Sequence, residues 1–421
     1  MFPNHCRLVP FVSVLILTFA ASRASSQGAA GVPDPSTMLP LVPDAAKAGP
    51  PAWIKPGTRL TYFGASATVR GERSQLVLDP NGKWVNKATG DKWGEQEVPT
   101  GSGAGYSTFQ VGYVDRDVAA LTCRLYLLDT TTRKTSLVGD SGTVTNSGCG
   151  LDLWVHPEVL KKVQEVNANG VRIMRMPYAI NNHRYNAIRF QTESDQGYSA
   201  YVYDLDTGVM VFHGSSAQGA GVLTAPPAGG GLAGMGRGST QLVTSWLMEV
   251  KDVPMPWANA PAPAWLGKVQ EMEFRGAQST MMAGVPPLSL PLTAQVKVKA
   301  RGPGWLRGER TTVIQSIAGM PPQQDTQGVA SGIATFGGLW IGPEGLNKLQ
   351  RGQVLDRNEI TQTVQSVADV GPRQVTISEV GPLHRSDLTY DTTSGMLIGV
   401  NLTQQVGLAT MGVRATLAGW R

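Results

Sequence analysis

Leu153-Trp154-Val155-His156-Pro157-Glu158-Val159-Leu160-Lys161-Lys162-Val163-Gln164 is written a second time as Leu339-Trp340-Ile341-Gly342-Pro343-Glu344-Gly345-Leu346-Asn347-Lys348-Leu349-Gln350. Pro157 and Pro343 stand where a first helical position tolerates a missing amide hydrogen, and Glu158 and Glu344 follow in the positively polarised first turn. Leu160 with Val163, and Leu346 with Leu349, then share one face and leave Lys161, Lys162, Asn347 and Lys348 outside. A helix of one or two turns is marginal alone in water. Its apolar stripe and the Trp before it need a larger surface to dock on, which we take to be a sheet. Trp154, Pro157, Leu160 and Trp340, Pro343, Leu346 are therefore assigned to the cores of two related domains.

The repeat extends beyond its helix. Pro51-Ala52-Trp53 and Pro263-Ala264-Trp265 open the two copies, each followed nine residues later by an aromatic, Tyr62 or Phe274. Downstream, Tyr203-Asp204-Leu205-Asp206-Thr207-Gly208 matches Tyr390-Asp391-Thr392-Thr393-Ser394-Gly395. Order and spacing agree at three landmarks, which is the signature of a duplicated unit. The first copy is longer, with insertions near residues 79–105 and 214–238, which belong on surface loops.

Between landmarks the hydrophobic period is two. Residues 119–128, 187–191, 199–203, 209–212, 242–250, 294–299, 311–317, 360–367 and 374–380 read as strands with one apolar face, and Gly208 and Gly395 supply hairpin turns. The expected fold class is all-β: two tandem domains, each a strongly bent, mostly antiparallel sheet, a half-barrel or open barrel, packed on one short helix. A sandwich is the competing architecture. The expected division is residues 52–258 for the first domain and 259–421 for the second, with residues 27–51, rich in Pro, Ala, Gly and Ser, as a disordered or extended lead-in.

Residues 1–26 read as a secretory signal, with Arg7 as charged start, an apolar run too short to span a bilayer, and small residues for cleavage. The expected protein is exported, to the periplasm, cell surface or exterior, with no transmembrane segment in the mature chain. Lys and Arg number 36 against 31 Asp and Glu, and loss of Arg7 and Arg23 leaves about +3, too little to argue for nucleic acid. Cys123 and Cys149 are a candidate disulfide, closing about 27 residues and worth about 3.5 kcal/mol if unstrained; two buried free thiols are the alternative.

Candidate chemistry is sparse. Gly139-Asp140-Ser141-Gly142 imitates the nucleophile segment of trypsin-like proteases, yet no His lies between the signal and Ser141, and its aligned partner, Val329-Ala330-Ser331-Gly332, lacks the Asp. The expectation there is a turn. The Gly-rich run at 229–240 lacks the Lys and the βαβ context of a phosphate cradle. His156, His183, His213 and His384 show no metal-ligand spacing, and Asp204 with Asp206 fits a turn better than a calcium loop. Trp84 and Trp93 flank a polar stretch of the first insertion and are a candidate aromatic binding surface, the plainer reading being a hairpin whose Trp side chains fold back.

No cofactor is implied, and no motif shared by both copies supplies a nucleophile with its base. The leading expectation is a non-catalytic exported β protein that binds a lipid, another apolar ligand or an envelope partner. The alternatives are a secreted hydrolase of envelope or extracellular polymers and a structural subunit of an envelope assembly.

Overall fold

A computed structural model describes residues 36–70, 76–78, 84–86, 100–180, 182–194, 197–218, 239–316 and 321–421. The expected signal segment lies outside these residues, as do 79–83, 87–99 and 219–238 of the two insertions. After helix α1 (Ala45–Ala48), the first domain contains β1 (Thr58–Arg70), β2 (Leu76–Leu78), β3 (Trp84–Asn86), β4 (Thr100–Val114), β5 (Val118–Leu128), β6 (Thr135–Asn146), α2 (Pro157–Leu160), β7 (Val166–Ala168), β8 (Val171–Ile180), β9 (His183–Ser194), β10 (Gly197–Asp204), β11 (Met210–Gln218) and β12 (Ser239–Asp252). The second contains β13 (Glu271–Met282), β14 (Val285–Gly302), β15 (Trp305–Ile314), β16 (Gln323–Gly332), α3 (Pro343–Leu346), β17 (Val354–Asn358), β18 (Thr363–Val370), β19 (Gln374–Gly381), β20 (His384–Asp391), β21 (Leu397–Val406) and β22 (Ala409–Trp420).

The two sheets have the same topology. In the first the order is β6-β5-β4-β1-β12-β11-β10-β9-β8-β7, and in the second β16-β15-β14-β13-β22-β21-β20-β19-β18-β17; every pairing is antiparallel. Register irregularities recur at equivalent places, between Thr61 and Tyr62 and between Glu273 and Phe274, and again between Val202 and Tyr203 and between Thr389 and Tyr390. Bulges pin register and bend strands, so their recurrence fixes the same curvature in both copies. The first sheet is strongly bent: the rings of Tyr178 on β8 and Phe212 on β11 lie 5.8 Å apart, although three strand spacings would separate them by about 14 Å in a flat sheet.

The duplicated block is the core plug of each domain. Trp154 and Trp340 are fully buried and each bridges to the strand after its Tyr-Asp turn, at Val209 and Met396. Trp53 Nε1 donates to the Thr207 carbonyl and Trp265 Nε1 to that of Ser394, both at 2.7 Å. Tyr203 Oη donates to Asp152 O and Tyr390 Oη to Gly338 O. Leu160 and Leu346 are buried to the same degree, with Pro157 and Pro343 as first helical residues. His156, the reactive-looking residue of the block, caps α2 by accepting the Glu158 amide on Nδ1, which explains why a glycine can replace it in the other copy.

Three expectations are corrected. The lead-in is folded from Ser36 onward: Asp152 accepts from the Ser36 and Thr37 hydroxyls and from the Thr37 and Met38 amides, seating Met38, Val42 and Ala45 in the core. Cys123 and Cys149 are free thiols. Cys149 Sγ points at Ser36 Oγ, 3.2 Å away, while Cys123 sits within β5 between Phe109 and Ser141. Gly139-Asp140-Ser141-Gly142 is strand rather than turn, lying inside β6. In addition Val253, Met255 and Trp257 pack in the second core, which places the junction nearer the end of β12 than residue 258.

The domains meet through equivalent strands. β6 lies against β16, and Ala120, Val144, Trp305 and Ala330 form a small core of their own between the sheets. Gly112 O accepts the Ala334 amide, and Gln110 Oε1 accepts that of Phe336. Around this contact the interface is ionic, with Arg59 bonded to Asp356 and to Glu249, and Lys251 to Asp356.

Candidate ligand-binding face and cleft

Because the two sheets share topology and register, each position of one can be read against its counterpart in the other. Across the first domain one cross-strand row runs Tyr106, Phe63, Trp246, Phe212 and Val202. The equivalent row of the second runs Thr293, Arg275, Thr416, Gly399 and Thr389. Two residues further along each strand, on the same face, Ala104, Ala65, Thr244, Gly214 and Ala200 stand against Pro291, Ala277, Arg414, Asn401 and Asp387. The same face of the same sheet is thus aromatic and apolar in one copy and largely polar in the other. In the aromatic copy the rings are in contact: Tyr106 with Phe63 at 5.5 Å, Phe63 stacked on Trp246 at 5.7 Å, and Trp246 with Phe212 at 5.9 Å.

Burial follows chemistry. Along β20, Arg385 is exposed and Asp387 and Thr389 are half-buried, whereas their counterparts Tyr198, Ala200 and Val202 on β10 are buried. The opposite face of β10 is closed as well, with Tyr201 accepting from the Thr37 hydroxyl and Tyr203 bonded to Asp152 O. Both faces of this strand are therefore covered, and the β2–β3 hairpin lies against β10 and β11. The hairpin's second strand falls within the expected insertion and its first just before it, and the second domain has no counterpart among the described residues.

Beside the hairpin, towards the sheet edge, is a cleft of about 550 Å³. Val77, Val171, Met174 and Met176 form its apolar wall. Arg172, Arg189, Gln191 and Glu193 give it a polar side, with Arg189 buried and its Nη2 donating to Tyr198 Oη. Volumes of roughly 300–1,000 Å³ with an apolar wall and a few placed polar groups are typical of small-ligand sites, and Met adapts to irregular ligands.

A buried polar cluster lies elsewhere, at the domain interface. Glu379 on β19 accepts from Arg124 Nη1 at 2.5 Å, Tyr126 Oη at 2.9 Å and Gln365 Nε2 at 2.8 Å, with His384 Nε2 3.4 Å away. Burial pushes the Glu379 carboxyl up, but Arg124, His384 and Gln365 outweigh it and hold it at about 2. The cavity near Arg124 is only about 20 Å³, room for one water. This constellation holds domains together; it has no space for a substrate. His213 and Ser245 are cross-strand neighbours within the first sheet, but they are 6% and 1% exposed and line neither the cleft nor the interface cavity.

Of the candidate binding residues, Trp84 lies in β3 with its side chain outside the description, and Trp93 lies outside the described residues. Among the described residues no cluster of His, Cys, Asp and Glu is disposed to hold a metal ion, and no helix is long and apolar enough to cross a membrane. Sequence reasoning missed Phe63, Tyr106, Phe212, Trp246, Met174, Met176 and Arg189. The signal was available in the two copies once aligned: one face loses its charges in only one of them.

No family model matches the chain, and no curated protein matches it. Among solved structures, a protein with unknown function from the DUF3598 family of Nostoc punctiforme is similar at 10% identity over 85% of this chain and 95% of that chain, with a TM-score of 0.12, a value that carries no argument.

Proposed function

We propose that the protein is an exported, non-catalytic carrier whose first domain holds an apolar ligand in the cleft beside the β2–β3 hairpin. The observation that carries this reading is the difference between the copies: of two similar sheets, the first has an aromatic face and an added hairpin, and beside them lies a cleft of about 550 Å³. The second sheet keeps charged and hydroxyl side chains at those positions, as an ordinary solvated face does. Export rests on the charged start and short apolar run of the N-terminal segment.

Native mass spectrometry of protein purified without detergent tests the reading. A bound species of lipid mass, lost when Met174→Asp and Met176→Asp are combined, is the expected result. Repeated recovery of empty protein, with no lipid in an organic extract, overturns it.

A further inference from the structure

The second domain ends in an uncharged surface with exposed apolar tips. The turn joining β13 to β14 and the turn joining β21 to β22 lie side by side, because Met282 pairs with Ala409 and Thr280 with Met411. No residue from 276 to 296 carries a charge, and none from 392 to 413, in a chain that is 16% charged. Beside them, β15 is uncharged from Thr311 to its end at Ile314. At the tips, Leu408 is 91% exposed and Met281 47%, with Val285 and Leu288 also exposed. Polar residues there are Ser, Thr and Gln, and the strands behind the tips already use their backbone groups in pairing.

We propose that these paired hairpin tips dock the protein on a lipid surface carrying anionic headgroups. A protein partner would ordinarily meet a polar and partly charged rim close around an apolar centre. Here the rim is displaced: the nearest cation on these strands, Arg414, pairs with Ala277, five residues back from Met282, or about 17 Å at strand rise. Arg414 is exposed and has no ion-pair partner among the described residues, while Arg275 behind it is tied to Glu273. An apolar tip with a cation set back by that distance matches side chains entering the acyl boundary by about 5–10 Å while the guanidinium meets phosphates at headgroup level. Arg385 and Asp387, on the neighbouring β20, neutralise each other.

The test is flotation of the full mature chain with vesicles of phosphatidylethanolamine and phosphatidylglycerol. Wild type is expected to float with the vesicles, and Leu408→Asp or Met281→Asp, each with unchanged melting, to bind about tenfold more weakly or worse. Arg414→Gln should weaken binding to these vesicles while leaving binding to neutral phosphatidylcholine vesicles unchanged. An environment-sensitive dye on Leu408→Cys should brighten on vesicle addition. Failure of wild type to float overturns the proposal, and so does flotation that Leu408→Asp leaves intact or that the dye at position 408 does not sense. None of these outcomes depends on a ligand in the first domain's cleft.

Discussion

A Cβ on Gly142 of β6 would stand 2.3 Å from the Ala330 amide nitrogen on β16, so the two sheets meet where equivalent strands come too close for any side chain on the glycine. Gly332, the counterpart of Gly142, is under the same constraint from Gly112 and Tyr113. The segment that imitates a protease nucleophile motif therefore has its glycine for a packing reason. The neighbouring Asp140 is bonded to Arg310 across the interface at 3.0 Å.

Gly142→Val is expected to destabilise the protein by about 1–3 kcal/mol through overpacking, acting on the interface rather than on the first sheet. Urea titration should show the second domain separating from the first as an earlier transition, and protease cleavage after residue 252 should accelerate. A single unchanged transition would mean that the interface adapts by moving a strand.

The duplicated tryptophans are alike in burial and unlike in hydrogen bonding. Trp154 Nε1 donates to Ser147 O at 2.7 Å, whereas Trp340 Nε1 is buried without a hydrogen-bond partner among the described residues. Either Trp→Ala change should cost about 3–5 kcal/mol through the cavity it leaves. The Phe substitutions separate the copies. Trp154→Phe loses a buried bond, and Trp340→Phe removes an unsatisfied donor, so the first should cost about 1–2 kcal/mol more than the second. Equal costs in thermal melting would contradict that account.

The duplication, the strand period, the Pro-started helices and the Trp-Tyr-turn arrangement were legible because each is written in local sequence. What escaped is long-range. Arg124 and Glu379 stand 255 residues apart, and nothing near either announces the other. Ser36 to Ala48 look like a Pro-rich and Ala-rich tether until Asp152 is known to gather their hydroxyls and amides. The aromatic row was hidden differently, since Tyr106, Phe63, Trp246 and Phe212 lie on four strands and are one to two per segment. A single strand shows a half-apolar pattern in either copy; only registered comparison shows the change.

Arg124→Met should cost about 3–5 kcal/mol, because it leaves the Glu379 carboxylate buried without its cation. Glu379 is held below the usual glutamate range, so its stabilising contribution is complete above about pH 4.3 and is lost as pH falls towards about 2. The ratio of wild-type to Glu379→Gln stability, measured by urea titration, should shrink across that window. A constant ratio would place the titration elsewhere.

His213 makes a separate and testable contribution to pH dependence. Its ring lies 4.5 Å from that of Tyr201, and burial pushes its pKa down to about 4. An unfolded histidine titrates near 6.5, so between about pH 6.5 and 4 the unfolded chain binds a proton that the folded chain does not. Stability is therefore full above about 6.5 and falls with decreasing pH through that window, by roughly 3 kcal/mol in all. This window lies above that of Glu379, so the two can be told apart in one protein. His213→Gln should flatten the stability profile between pH 6.5 and 4 and leave the loss below pH 4 in place. If the variant keeps the wild-type slope in the upper window, the proton is taken up by another group, and His213 is solvated more than its burial implies.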